Sequence, residues 1–173
     1  LGMEVCRVVR SLKAFESTAL GANRRDVDIP FGETKPLDEI KELAADETSP
    51  RGIHMTGPWA RRVLELMDKD EMPESRATEM QSMTVGPITC VTIPGEPAQE
   101  IGHAIEKSLR KIVDSDDVWP VGYANDEIGY LNTPRMYEEG GYEPNAYPYY
   151  GEPAGFKDED TVIVETAEKL AKG

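Results

Sequence analysis

The sequence predicts an α/β fold with a mixed sheet, a βαβ unit and flanking helices. The central observation is a strand-like segment at residues 88–93, an amphipathic helical segment at 97–112 and a second strand-like segment at 118–124. This spacing favours two parallel strands joined by a right-handed crossover. A second observation is that other segments repeat apolar residues with the 3.6-residue period of helices, which would cover the sheet.

Five segments place apolar residues on one helical face. They are residues 5–12, 37–44, 59–67, 101–112 and 163–171. Pro36 suits the first turn of the second helix. The acidic run at 158–160 suits the positive N-terminus of the last one.

Strand signals are fewer. Val27 and Ile29 alternate with acidic residues, which predicts a half-exposed strand ending at Pro30. The β-branched stretch at 83–93 predicts a long strand with a bend or bulge at Gly86 and Pro87. Residues 48–57 and 69–75 are predicted loops.

A third loop is predicted at residues 140–156, which are rich in Gly, Pro and Tyr and lack periodicity. So long an irregular segment inside a compact domain is usually functional or wraps around the domain. No internal repeat or change of composition divides the chain, so residues 1–173 are interpreted as one domain.

Composition excludes several classes of protein. The chain has 39% hydrophobic and 30% charged residues, a mean hydropathy of -0.51 and a net charge of -14. The longest basic clusters are residue pairs such as Arg24-Arg25, so no nucleic-acid partner is expected. No apolar run approaches the ~20 residues of a transmembrane segment. Two cysteines cannot form a zinc-thiolate cage, and Cys90 is predicted to be a buried thiol in a strand.

The sequence Pro94-Gly95-Glu96-Pro97 follows a predicted buried strand and precedes a predicted helix. Pro97 suits the first helical position, which makes Glu96 the junction residue. A carboxylate at the C-terminal tip of a parallel strand lies where open α/β sheets bind ligands. Alternatively, Glu96 only complements the positive helix N-terminus.

Downstream, residues 125–143 read Asn-Asp-Glu-Ile-Gly-Tyr-Leu-Asn-Thr-Pro-Arg-Met-Tyr-Glu-Glu-Gly-Gly-Tyr-Glu. Together with the Pro-Gly-Glu-Pro element, this stretch resembles the C-terminal part of the catalytic domain of neutral/alkaline ceramidases. These are zinc amidases that cleave the N-acyl bond of ceramide. The resemblance extends over residues 85–143, and no motif of the family matches before it.

The resemblance assigns roles to individual residues. It implies that Glu96 is a zinc ligand, that Tyr130 contacts the zinc, and that Tyr142 lies against the substrate carbonyl. It places Thr133, of the Tyr-x-x-Thr element, at the substrate. The alternative for Tyr130 and Tyr142 is amphipathic packing with the hydroxyl at the surface.

The chain also departs from the family. Residue 132 is Asn rather than a second Thr, and Gly140-Gly141 replaces glutamines. These differences leave the ligand positions intact and bear on lipid specificity. Neither His54 nor His103 matches the zinc histidines of the family, which lie upstream together with its active-site serine. His103 falls off the apolar helical face and is expected to face solvent.

The resemblance therefore implies the C-terminal fragment of a zinc-dependent hydrolase of linear N-acyl amides, inactive alone. Zinc would be bound in the complete protein and not by the isolated chain, because a site needs three or four protein ligands. The missing N-terminal part would supply the zinc histidines, either from the same chain or from a separate subunit. The substrate would be an acyl amide or a lipid. The alternative is a non-enzymatic binding module that kept the fold without the metal.

Overall fold

The computed structural model describes residues 1–12, 20–46, 56–113, 115 and 117–173. Helices and strands are interspersed along the chain, in agreement with the α/β prediction. The helices are α1 Gly2–Ser11, α2 Leu37–Ala45, α3 Thr56–Asp68, α4 Gln99–Leu109, α5 Pro134–Glu139, α6 Tyr147–Tyr150 and α7 Glu159–Lys172. The strands are β1 Leu20–Pro30, β2 Ser75–Val85, β3 Ile88–Thr92, β4 Glu96–Pro97, β5 Val118–Val121 and β6 Tyr130–Leu131.

The main sheet has the strand order β1-β2-β3-β5. The first three strands are antiparallel neighbours, whereas β3 and β5 are parallel and are connected through α4. The predicted mixed sheet and βαβ unit are therefore confirmed. Strands β4 and β6 form a second, two-stranded parallel sheet.

The core lies between one face of the main sheet and the helices α4 and α7. Its buried side chains come from β1 to β3 and from the apolar faces of both helices. They include Val27, Ile29, Met80, Val91, Ile105 and Ile163. A second cluster joins α2 to α3 around Ile40, Trp59 and Val63. The periodicity of these four helices is thus explained by burial.

Several element boundaries differ from the sequence predictions. The predicted strand at 83–93 is two antiparallel strands joined by a turn at Gly86, whose φ is 59°. Strand β2 begins already at Ser75, where a loop was predicted. Strand β5 ends at Val121, three residues early. Helix α4 begins at Gln99 rather than 97, because Pro97 pairs with β6 instead of opening the helix.

The N-terminal helix and the Gly/Pro/Tyr-rich segment also differ from expectation. Helix α1 forms as predicted but buries none of its residues. The segment 140–156, predicted to be irregular, contains a 3-10 turn at Glu143–Asn145 and the short helix α6. Over the described ranges, no helix has the length and apolar character needed to cross a membrane.

Candidate active site

The strand pair β4–β6 brings Glu96 and Tyr130 together. Their Cα atoms are direct partners in the parallel register, although the two residues are far apart in sequence. The Glu96 amide donates to the carbonyl oxygen of Gly129 over 2.9 Å, and the Ala98 amide donates to that of Leu131 over 2.9 Å. Both side chains line one open cleft of about 330 Å³. The expected proximity of Glu96 and Tyr130 is therefore observed.

Two glycines permit this close approach. A Cβ on Gly95 would collide with the carbonyl oxygen of Gly129, so the β4–β6 pair requires glycine at this position. Gly129 has a φ of +102°, and a Cβ there would lie 2.7 Å from the ring of Tyr150. A side chain at either position would push apart the segments that carry Glu96 and Tyr130.

A cluster of tyrosines surrounds Glu96. The Tyr130 ring makes edge contacts with Tyr142 and Tyr150, at centroid distances of 5.7 and 6.0 Å. Tyr142, the third predicted site residue, is 44% exposed and packs its ring edge-on against Tyr130. Tyr123 donates a hydrogen bond from its hydroxyl to Oε2 of Glu96. Tyr123 has no counterpart in the motifs recognised from sequence.

Electrostatics keeps Tyr130 protonated at neutral pH. Burial, followed by the charge of Glu96 and by the neighbouring Tyr150, raises the pKa of Tyr130 to about 12. Glu127 lies in the same region and accepts a hydrogen bond from the Gly129 amide over 3.2 Å. Burial and the charge of Glu96 raise the pKa of Glu127, while the Gly129 hydrogen bond opposes the shift. The cleft therefore combines the neutral phenol of Tyr130 with the acidic side chains of Glu96, Glu100 and Glu143.

Thr133 lies apart from this group. It precedes α5 as its N-cap residue and lines a different cavity, between α4 and α7. Its Oγ1 is buried and has no hydrogen-bond partner among the described residues. The structure therefore brings together Glu96, Tyr130 and Tyr142 but not Thr133.

A buried polar network supports the strand that carries Tyr130. Glu159, only 2% exposed, accepts hydrogen bonds from the Asn132 amide over 3.1 Å and from the Tyr137 hydroxyl over 2.8 Å. Burial raises the pKa of Glu159. From the sequence, this acidic run was expected only to complement the positive N-terminus of the last helix. No local pattern distinguishes Glu159 from its acidic neighbours, because its partners lie more than twenty residues upstream.

The described residues do not form a complete metal site. No group of three or more His, Cys, Asp or Glu side chains among them could hold an ion. His103 is exposed, as predicted, and His54 lies outside the described residues. Cys90 is half-buried rather than buried, and Cys6 is exposed.

Comparison with known proteins identifies a curated relative over part of the chain. No family model matches the chain. The neutral ceramidase of Mycobacterium tuberculosis (strain ATCC 25618 / H37Rv) is 31% identical over 112 residues, which is 64% of this chain. This chain spans about 16% of the length of that relative. The resemblance indicated by the sequence motifs is thus confirmed, over part of a ceramidase.

Two solved structures are also similar. The neutral ceramidase from Pseudomonas aeruginosa has a TM-score of 0.48 and 15% identity, covering 89% of this chain and 29% of that one. A ceramidase complexed with C2 has a TM-score of 0.48 and 15% identity, covering 88% and 30%.

Proposed function

We propose that this chain is the C-terminal portion of the catalytic domain of a zinc-dependent hydrolase of linear N-acyl amides. The observation that carries the proposal is the backbone pairing of Glu96 with Tyr130, with the ring of Tyr142 against Tyr130. These three residues match the ceramidase motif positions, and sequence identity to a neutral ceramidase supports the same chemistry. Residues 1–173 would form one domain together with the missing part.

The donor groups present fit part of a zinc site. Zinc accepts carboxylate oxygens and is held by three or four protein ligands. Glu96 would supply a carboxylate and Tyr130 a phenol, and the missing N-terminal part would supply histidines, from the same chain or a separate subunit. When bound, zinc polarises the amide carbonyl and lowers the pKa of a bound water to about 7.

The residues of this chain would orient the substrate and stabilise charge. Tyr142, which is 44% exposed, would donate a hydrogen bond from its hydroxyl to the amide oxygen as negative charge develops there. Tyr123 would hold Glu96 through the hydrogen bond to Oε2. For Thr133, only the ceramidase motif supports a contact with the substrate, since the structure places this residue in a different cavity from Glu96 and Tyr130.

We propose an acyl amide as the substrate class, which includes lipid amides. Asn132 is 2% exposed and lies in the cleft beside Tyr130, where ceramidases carry a threonine. Gly140 and Gly141 precede Tyr142, where ceramidases carry glutamines. Because one departure lies beside Tyr130 and the other directly precedes Tyr142, the acyl or amine portion recognised would differ from that of ceramide.

A second candidate function is a binding module without metal. It is favoured by the lack of a complete ligand cluster within the described ranges. It is also favoured by three exposed aromatic side chains near Glu96, which could contact a partner. They are Tyr123, Tyr142 and Tyr149.

The test uses the complete protein with its upstream sequence, loaded with zinc and assayed against N-acyl amides of varied chain length. We expect Glu96→Gln to lose the most activity. Tyr142→Phe should lower kcat by ~10²–10³-fold with little change in KM, because an oxyanion donor acts mainly in the transition state. The control His103→Ala, at an exposed position, should be nearly silent.

The binding-module function would replace the hydrolase if the zinc-loaded protein cleaved no acyl amide. An unchanged rate in Glu96→Gln would lead to the same conclusion.

A further inference from the structure

One face of the main sheet carries apolar side chains that no described helix shelters. The helices that pack on the sheet, α4 and α7, lie on the face of Val27, Met80 and Val91. The strand register places a second set of apolar residues together on the opposite face, because direct partners share a face. This uncovered face consists of Met83, Val85, Ile88, Cys90, Trp119 and Val121.

The uncovered face is accessible and contiguous. Val85 and Trp119 are 54% and 53% exposed, and Met83 and Val121 are also exposed. Residues Met83, Cys90 and Trp119 are partners across three adjacent strands, so they form one row. Contiguous exposed apolar surface of this kind marks an interaction site in soluble proteins.

The face, rather than the strand edge beside it, is suited to binding. Strand β5 is an edge strand, and it contains Pro120. Proline has no amide hydrogen to donate and is typical of edges that do not add a further strand. A partner would therefore lie over the side chains of the face.

The uncovered face leads to the candidate metal ligand. Two residues after Val121, at the end of β5, the chain reaches Tyr123, which is 60% exposed. The hydroxyl of Tyr123 donates to Oε2 of Glu96. Exposed apolar and aromatic side chains thus run from Trp119 to Glu96, and a partner on this face would also reach the cleft.

We propose that the uncovered face binds the missing, histidine-bearing part of the hydrolase. The inference rests on the proposed function, which requires further zinc ligands next to Glu96. It is also supported by length, because this chain spans only about 16% of the relative it matches. Binding at the uncovered face would then position the missing part so that its ligands lie next to Glu96 and Tyr130.

A second copy of this chain is a poorer occupant. The sequence holds only two histidines, neither of which matches the ligand motifs of the family. Each copy also carries a net charge of -14, and like net charges oppose self-association. A dimer would leave the ligand set at Glu96 incomplete.

Thiol labelling can test this proposal, because Cys90 lies on the uncovered face and Cys6 is an exposed internal reference. Both thiols are alkylated with iodoacetamide, in the isolated chain and in the complete protein, and the labelled peptides are measured by mass spectrometry. We expect the ratio of Cys90 to Cys6 labelling rates to fall at least about tenfold in the complete protein, since burial blocks access to a thiol.

Two substitutions give a matched comparison. Trp119→Arg should restore Cys90 labelling in the complete protein, because it places a charge in the buried interface. Leu37→Arg is the control, since Leu37 on α2 is 47% exposed and lies away from the uncovered face. Val85→Lys provides a second test at the face if Trp119→Arg does not fold, and circular dichroism monitors folding of each variant.

Equal Cys90 labelling in the isolated chain and the native protein would overturn the inference. So would concentration-dependent protection of Cys90 in the isolated chain, which would identify a second copy as the occupant. The proposed function can fail separately. Protection of Cys90 without amide hydrolysis would reject the proposed hydrolase function but retain the docking surface. Amide hydrolysis without protection of Cys90 would retain the hydrolase function and reject the docking surface.

Discussion

Glu96 is held by Tyr123, which lies just beyond the end of β5. Its Oε2 accepts the hydrogen bond of Tyr123, which follows β5 and adopts a left-handed backbone conformation with φ of 53°. A carboxylate fixed by such a bond presents its remaining oxygen in a defined direction, which favours metal binding. Tyr123 is therefore a positioning residue in the proposed site.

Tyr123→Phe in the complete protein should weaken zinc binding by about 10–100-fold, because partners that orient a ligand contribute affinity of this size. Competition with a chromophoric chelator measures the change. Tyr149→Phe is the control, since Tyr149 contacts Tyr150 and has no hydrogen bond to Glu96 among those described. Equal zinc affinity in the two variants would remove Tyr123 from the site.

The buried Glu159 predicts a pH dependence of stability. Burial raises its pKa in the folded chain, so the native state holds this proton more tightly than the unfolded state does. Its contribution to stability is therefore greatest below the ordinary carboxyl pKa of about 4.3 and is lost as pH rises through the folded pKa.

Glu159→Gln removes this titration and keeps the side-chain volume. As pH rises from acid to neutral, the wild type should lose free energy of unfolding relative to the variant. Urea denaturation of both proteins across this range measures the difference, and Glu152, whose pKa burial also raises, contributes equally to both. Parallel pH profiles would contradict the assignment.

At the scale of elements, the β4–β6 pair depends on a glycine. Gly95→Ala would place a Cβ against the carbonyl oxygen of Gly129, so the two strands must separate. We expect a loss of about 1–3 kcal/mol in free energy of unfolding, as for other overpacking substitutions. Urea denaturation of the isolated chain provides the measurement.

Gly102→Ala is the matched control for this prediction. Gly102 lies inside α4, and nothing lies within 4 Å of the position that its Cβ would take. Alanine should stabilise the helix by about 0.5–1 kcal/mol. If both substitutions changed stability in the same direction, the close approach of β4 and β6 would not be the cause.

For the whole molecule, sequence periodicity predicted the elements whose packing is local. The segments that became β3, α4 and β5 carry clear apolar patterns, and the parallel pairing followed from their spacing. The predicted start of α4 at residue 97 was wrong, because the fixed φ of Pro97 suits a strand as well as a first helical turn. Leu131, the partner that decides between them, is remote in sequence.

Only the site residues that lie in ceramidase-like motifs were predicted from the sequence. Glu96, Tyr130 and Tyr142 were found through the ceramidase resemblance, and the structure brings them together. Tyr123 and Glu159 were missed, because their interactions depend on contacts between distant segments that no spacing rule encodes. The functional roles of all these residues stay predictions.

Zinc content tests the completeness of the site. The isolated chain should retain no stoichiometric zinc, because the proposed ligands Glu96 and Tyr130, whose pKa is about 12, would form only part of a ligand set. Elemental analysis after dialysis against a weak chelator measures the metal content. About one zinc per chain would contradict this expectation and return His54 and His103 to consideration.

The pairing of Glu96 with Tyr130 also bears on how such proteins diversify. Main-chain hydrogen bonds from Glu96 and Ala98 set the spacing of the pair, so most side-chain substitutions leave it unchanged. Asn132 and the glycines before Tyr142 contribute nothing to those bonds. A lineage could therefore replace these residues, and with them the proposed amide substrate, while keeping the pairing of Glu96 with Tyr130.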